Sequence, residues 1–407
     1  MKTILTNAIL LNTKQDKKSR SITSLLLPTL TGLLLSGFSH LAIAAPSPQP
    51  ALSTQQISAI NHQLTSIFEE QQMVGLQGAV FDNNRIVSSI NSGYADLEHK
   101  VAVTADTRFE IASITKAFTG LGLLLLEQAG KIDQDQPIQK YVPTFPVKAK
   151  GTITPRLLSG NLAGIRHYKE EERTPRFYTT HYDDVNDALQ LFKDDPLVVK
   201  PAEKFKYSSY GYNLLAAAIQ GASGERFQDY IQRTMLQPLG LKNTGFIDIR
   251  LPMENRSRSY SYVEPRTREV LDHLQVVPNL EHSYNMGGGN MYSSASDLVT
   301  FGSQFLQPGF ISADVLKQIY QPHFDSQGRA TYVSDGWIVT EINKSPRSLV
   351  MAGSYPGVIS QLMVYPDQGV VVAFASNTWG KSGGASFGPK GSVTQLINKL
   401  NQIIAPK

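Results

Sequence analysis

Ser113-Ile-Thr-Lys116, inside the run Phe109-Glu-Ile-Ala-Ser-Ile-Thr-Lys-Ala-Phe-Thr119, sets a hydroxyl and an amine three residues apart. On a helix that spacing puts both side chains on one face, within reach of each other. A serine hydroxyl is a weak nucleophile until a neighbour takes its proton. A lysine amine can take it where burial keeps the amine neutral. At the head of a helix the backbone dipole favours negative charge developing on the serine oxygen. A capping serine followed by a solvated lysine would show the same tetrapeptide, so the pair alone does not decide. Chemistry without a histidine needs a second proton carrier. Tyr207, in Phe205-Lys-Tyr-Ser-Ser-Tyr-Gly-Tyr-Asn-Leu-Leu-Ala216, is the candidate. A tyrosine that shares its proton with a lysine can serve as base and then as acid to a leaving group. A tyrosine before an alanine-rich helix also reads as a packed core residue.

The elements around these groups are legible in part. Residues 53–72 carry Ile57, Ile60, Leu64, Ile67 and Phe68 as one apolar stripe, which predicts a helix. Leu76–Phe81 and Arg85–Ile90 flank Asp82-Asn83-Asn84 as a hairpin. The nucleophile helix, with its run Leu121 to Leu126, should be buried and stop near Gly130. Residues 131–320 read as mostly helical, with clear helices at 212–222 and at 297–306 after a Ser294 or Ser296 cap. Four successive strands are expected at 336–342, 348–351, 361–365 and 370–374, then a final helix at about 391–404. Tyr365-Pro-Asp-Gln-Gly369 is the turn between the last two strands. Terminal helices and strands thus bracket a helical insert, which predicts an α+β layer joined to a helical lobe with a site in the cleft between them.

The N-terminus reads as an export signal. Lys14, Lys17, Lys18 and Arg20 precede the uncharged stretch Ser21 to Ile43, and Ala42-Ile43-Ala44 fits a small-x-small cleavage site. Pro28, Gly32 and Gly37 in the stretch, and Pro46-Ser-Pro-Gln-Pro50 after it, favour removal over a retained membrane anchor. Residues 1–44 hold five Lys/Arg and one Asp, which accounts for the whole formal charge of +4. The mature chain is therefore neutral, and no nucleic-acid partner is inferred. Absence of cysteine excludes disulfides, thiolate catalysis and cysteine zinc sites. Such a chain suits a bacterial periplasm, with secretion as the other destination. About 360 residues remain, enough for a large core or two lobes around a cleft.

Other chemistries find no support. His167 sits in the loop Gly164-Ile-Arg-His-Tyr168 and reads as a satisfied loop residue. No His-Glu-x-x-His or Walker A pattern occurs in the mature chain. Gly287-Gly-Gly289 lacks the strand–helix setting of a phosphate loop and reads as a tight turn near the cleft.

Together these motifs resemble the serine β-lactamase and penicillin-binding-protein family, which includes class C β-lactamases, D-alanyl-D-alanine carboxypeptidases and esterases. The likeness spans about residues 55–400 in the expected motif order. Ser113-x-x-Lys116 matches the first motif, and Tyr207-Ser208-Ser209 the second, usually Tyr-Ser-Asn or Tyr-Ala-Asn. Gly164–Tyr168, Phe192-Lys-Asp-Asp-Pro196, Gly287–Gly289 and Ser296-Asp-Leu298 look closest to the mitochondrial serine β-lactamase-like branch.

The third motif, Lys/His-Thr/Ser-Gly, falls on Met351-Ala352-Gly353 and Ser354. The resemblance implies a β-lactamase/transpeptidase-like fold, an α/β lobe at about 55–112 and 325–407 and a helical lobe at about 113–324. It implies catalysis by Ser113, Lys116 and Tyr207, with the backbone N–H groups of Ser113 and Ser354 as oxyanion hole. Ser209, Met351, Ala352 and Gly353 would line the substrate, and neither a metal nor an organic cofactor is implied. Met351 and Ala352 supply neither the cation nor the hydroxyl that would engage a substrate carboxylate, and Ser209 lacks the usual amide. The expected activity is therefore acyl-enzyme hydrolysis of an uncharged ester or amide. Two rivals are a peptidase or β-lactamase acting on peptidoglycan or β-lactams, and a non-catalytic binding or filament-forming member. Oligomeric state is not readable.

Overall fold

A computed structural model of the protein describes residues 51–172, 174, 176–264, 267, 269–340, 347–381 and 392–406. The export signal expected in residues 1–44 lies outside the described residues. The first helix, α1 (Thr54–Glu70), starts at Ser53, whose side chain accepts the Gln56 N–H while the Gln56 side chain accepts the Ser53 N–H. This reciprocal cap satisfies two orphan donors of the first turn. Ile60, Leu64 and Ile67 form its buried stripe.

Hairpin strands β1 (Gly75–Asp82) and β2 (Arg85–Asp96) follow, turning through Asn83 and Asn84, both at positive φ. Two short strands, β3 (Val101–Ala102) and β4 (Phe109–Glu110), lead to the nucleophile. The segment 131–320, expected to be mostly helical, also carries β5 (Gly245–Phe246), β6 (Tyr260–Val263), β7 (Val270–Val276) and β8 (Met291–Ser293). These strands are too short, or too exposed, to show a clean period in sequence. The C-terminal strands are β9 (Val333–Ser334), β10 (Trp337–Thr340), β11 (Ser348–Tyr355), β12 (Val358–Tyr365), β13 (Val370–Ser376) and β14 (Thr378–Trp379).

Eight strands form one antiparallel sheet in the order β3-β2-β1-β13-β12-β11-β10-β9. Every residue of β12 and β13 is buried, so both faces of the sheet centre are covered. This is why their sequences run apolar instead of alternating. One face packs against α1 and the last helix, α9 (Ser392–Ile404), through Leu64, Val372, Phe374 and Leu400. The other face packs against the helical region through Leu362, Val364, Val371 and Ala373.

That helical region is organised around α2 (Thr115–Gln128), buried on nearly every side and ending before Gly130 at φ +67. Around it stand α3 (Pro155–Ser159), α4 (Ser209–Ser223), α5 (Phe227–Ile231), the single turn α6 (Met286–Gly289), α7 (Ala295–Ser303) and α8 (Ala313–Ile319). The α7 cap is Ser294, accepting the Asp297 N–H. Phe118 of α2 stacks on Phe301 of α7 with centroids 3.8 Å apart. The turn Asp335-Gly336 presses on α2 from the other side. A Cβ at Gly120 would lie 1.8 Å from the Asp335 carbonyl oxygen, and one at Gly336 would lie 2.1 Å from the Lys116 carbonyl oxygen. Gly120→Ala is therefore expected to cost about 1–3 kcal/mol, read as a lower urea midpoint at constant m-value. A loss below about 0.5 kcal/mol would show that the turn can move away.

Candidate active site

The chain enters the site from β4 through a tight turn, residues 112–114, that runs directly into α2. Ala112 holds φ +45, an uncommon backbone state for a residue with a Cβ, immediately before Ser113. Two contacts fix this bend. Ser360 of β12 donates its hydroxyl to the Ile111 carbonyl at 2.8 Å, and Gly353 of β11 lies under the same carbonyl. A Cβ at Gly353 would come within 2.0 Å of that oxygen, so the third-motif glycine is needed for the sheet to approach the nucleophile.

Ser113 is 8% exposed, and its Oγ lies 2.9 Å from the Tyr207 hydroxyl and 3.2 Å from Lys116 Nζ. Lys116 is 1% exposed. Its Nζ also donates to the Gly288 carbonyl at 2.5 Å and lies 3.1 Å from Ser209 Oγ. Thr119, one turn on, donates to the Gly287 carbonyl at 2.7 Å, so the α6 turn is fastened to α2 at two points. Side chains at these glycines would collide: a Cβ at Gly287 would lie 2.4 Å from the Tyr212 carbonyl oxygen. Among the described residues no carboxylate pairs with Lys116, and burial holds its amine well below the usual lysine range.

Tyr207 reaches the site from the loop before α4. Asn161 Oδ1 accepts the Ser208 N–H at 2.9 Å, and the Ser208 hydroxyl donates to the Arg166 carbonyl at 2.6 Å. Arg166 in turn binds Glu172 and Asp195, which ties Gly164–Tyr168 to Phe192–Pro196. His167 accepts the Ser209 N–H on Nδ1 at 3.2 Å and stands edge-on to the Tyr207 ring. Burial pushes the Tyr207 phenol up to about 12, against opposing hydrogen bonds from Ser113 and Ser209.

The third motif divides by face. Met351 is buried and borders, with Lys116, Tyr207 and Trp337, a cavity of about 20 Å³. Ala352 points to the opposite layer beneath α1 and α9, so its side chain is not brought together with Ser113. Ser354 presents its backbone N–H toward the open edge of β11. The two-residue turn Pro356-Gly357 closes the Tyr355–Val358 pair, and the alternation of the ladder then directs the Ser354 N–H away from β12. β10 pairs with β11 only as far as Val350, leaving that edge open toward the nucleophile turn. The Ser354 hydroxyl accepts the Trp379 indole N–H at 3.0 Å and is turned out of the way.

Sequence reasoning missed three contributors. Glu110, three residues before Ser113, accepts the Tyr355 hydroxyl and an Arg256 N–H at 2.9 Å. His282 packs against Tyr355 in a tilted ring pair with centroids 4.2 Å apart. This cluster ties the approach to the nucleophile to the end of β11. The third is Gly288, whose carbonyl holds Lys116. A carboxylate inside an otherwise apolar run was the available signal for Glu110; a backbone acceptor such as Gly288 has none.

A family model described as Beta-lactamase matches residues 56–388. The chain belongs to the beta-lactamase family. It is a hydrolase by that membership, and its eight-stranded antiparallel sheet with a helical region is the β-lactamase/transpeptidase fold. It is similar to the mitochondrial serine beta-lactamase-like protein LACTB of Homo sapiens, 27% identical over 418 residues, covering 79% of this chain and 75% of that protein. Among solved structures, the D-amino acid amidase of Ochrobactrum anthropi SV3 in complex with D-phenylalanine superposes with a TM-score of 0.71 at 22% identity, covering 86% of this chain and 99% of that one. EstCE1, a hydrolase with promiscuous acyltransferase activity, gives 0.70 at 19% identity, covering 85% and 98%. At these identities the two structures share the fold. Among the described residues no helix is long and apolar enough to cross a membrane, and no acidic or histidine cluster is arranged to hold a metal ion.

Lys116→Met tests the electrostatics of this beta-lactamase-family site. Burial lowers the Lys116 pKa, so between its lowered value and the ordinary 10.5 the unfolded chain binds more protons. That penalty is greatest at the acid end and vanishes above 10.5. The variant should therefore be more stable than wild type near neutral pH, with the gain shrinking as pH rises, in denaturation series run at each pH. Hydrolytic turnover should fall by about a hundredfold or more. A stability difference that does not vary with pH would mean that Lys116 stays charged.

Proposed function

We propose that the protein hydrolyses a neutral ester or amide through an acyl-enzyme on Ser113. The observation that carries this reading is the contact of Ser113 Oγ with both Lys116 and Tyr207, around an amine buried without a counter-charge. A neutral amine has one lone pair and two N–H donors. The Gly288 carbonyl takes one donor and Ser209 Oγ the other, so the lone pair is left for the Ser113 proton. Tyr207, kept protonated by burial, donates to Ser113 Oγ in the resting site and is available as acid. Lys116 is then the base. Ser113 Oγ attacks the carbonyl carbon as its proton passes to Lys116 Nζ. The backbone N–H groups of Ser113 and Ser354 stabilise the oxyanion, a contribution that does not depend on the altered side chains of the third motif. The leaving group departs with a proton, and water then releases the acyl group along the reverse proton path.

Substrate class follows from Met351. Where a cation would bind a substrate carboxylate, this site offers a thioether. A carboxylate placed there would lose a charge-assisted hydrogen bond worth about 1.5–3 kcal/mol, about ten- to a hundredfold in rate. Intact mass after a fluorophosphonate probe is expected to show one adduct on wild type and none on Ser113→Ala. Penicillin should acylate at least about tenfold more slowly than a neutral activated ester. Absence of any adduct on wild type would overturn the mechanism and favour a binding role. Rapid, stoichiometric acylation by penicillin would move the assignment to a peptidase or β-lactamase.

A further inference from the structure

The loop Gly164–Tyr168 grips the second motif at two consecutive residues. The Arg166 carbonyl accepts the Ser208 hydroxyl at 2.6 Å, and Nδ1 of His167 accepts the Ser209 N–H at 3.2 Å. Arg166 is itself clamped between Glu172 and Asp195, so His167 stands on a rigid support. Ser209 is the first residue of α4, where a backbone N–H has no partner inside the helix. The neighbouring Ser208 Oγ is taken up by the Gly211 N–H at 2.9 Å. Ser209 is 3% exposed, which leaves bulk water little access to its N–H in place of the imidazole. A backbone N–H can only donate, so Nδ1 of His167 is unprotonated and the proton of the neutral ring sits on Nε2. Turning the ring over would set a carbon against the N–H. An acceptor also suits this place because the start of the 15-residue α4 is the positive end of its dipole.

Both second-motif side chains in the site lean on this one ring. Ser209 Oγ lies 3.1 Å from Lys116 Nζ, and Tyr207, whose hydroxyl lies 2.9 Å from Ser113 Oγ, meets the His167 ring at 75° with centroids 5.3 Å apart. We propose that His167 is a positioning residue for the reaction: its Nε2–H tautomer holds the start of α4 so that Ser209 stays on Lys116 and Tyr207 on Ser113. This rests on the serine-hydrolase reading above. The imidazole moves no proton in it and acts only through residues 207 and 209. A side chain that fills the same space without an acceptor leaves a buried N–H unpaired, and the first turn of α4 then shifts to find another partner.

Two replacements separate the acceptor from the packing. His167→Phe keeps a ring and removes the acceptor; His167→Asn removes the ring and keeps an oxygen at the position of Nδ1. In His167→Phe, kcat/KM for a neutral activated ester and the rate of Ser113 labelling by a fluorophosphonate are both expected to fall about tenfold or more. In His167→Asn both should stay within about threefold of wild type. The reverse order would assign His167 to ring packing and overturn the proposal, as would equal losses in the two variants or no loss in His167→Phe. Should either variant not fold, the wild type decides through the ¹⁵N resonances of the His167 ring at mildly alkaline pH. A bare Nδ1 beside a protonated Nε2 is expected, and a proton on Nδ1 would overturn the proposal. A wild type that turns over no ester and takes no fluorophosphonate loses the hydrolase reading. The ring tautomer still tells whether His167 holds Ser209, so the two failures are distinguishable.

Discussion

Burial of an uncompensated lysine is the constraint around which the rest of this structure is arranged. An ammonium at the Lys116 position, enclosed by α2, α4 and α6 with no carboxylate partner among the described residues, would cost several kcal/mol to desolvate. Burial favours the neutral amine, and around it stand one carbonyl, from Gly288, and hydroxyls from Ser113 and Ser209. The glycines at 120, 287 and 336 have the same cause. Each lets a backbone segment close against α2 or its immediate support, so that water does not reach the amine. In the mechanism proposed above, stability is thus exchanged for a lysine whose burial favours the basic, neutral form, an arrangement common to active sites.

The other half of the site is built from backbone. Ser354 presents its N–H because the register of β11 on β12 sends it to the open edge, and the Glu110–Tyr355–Arg256 cluster holds that edge against the nucleophile turn. Backbone donors set by register are insensitive to side-chain replacement. A chain can therefore lose the cation and hydroxyl of the third motif, as at Met351 and Ala352, and keep the machinery for acyl transfer. In the reading proposed above, what changes is the group beside the reacting carbonyl, and with it the choice of substrate.

Much of this was legible in the sequence. The stripe of α1, the apolar runs of β12 and β13 and the leucine-rich α2 are strong periodic or continuous signals, and each element was found within a few residues of its expected bounds. The hairpin began where expected, but β2 runs to Asp96 because its outer half is exposed and polar, with little apolar alternation to read. Strands β5–β8 escaped for the related reason that pairing with distant segments, such as Glu110 with Tyr292, creates them. Within the site, the structure brings the expected Ser113, Lys116 and Tyr207 side chains into contact; the first two were legible from their spacing of three and the third from its local pattern. Gly288 was not, because its contribution is a carbonyl oxygen that every residue has. The fate of Ala352 was also hidden, since which face a strand residue takes depends on register with β12.

The central claim is that Lys116 is a neutral amine in the folded protein. The ¹⁵N resonance of its side chain, assigned by its disappearance in Lys116→Met, reports that charge directly. A neutral-amine shift at pH 7, turning to the ammonium shift only as the solution is made acidic, is the result this account predicts. An ammonium shift that persists until the pH approaches the ordinary lysine value of 10.5 would contradict it.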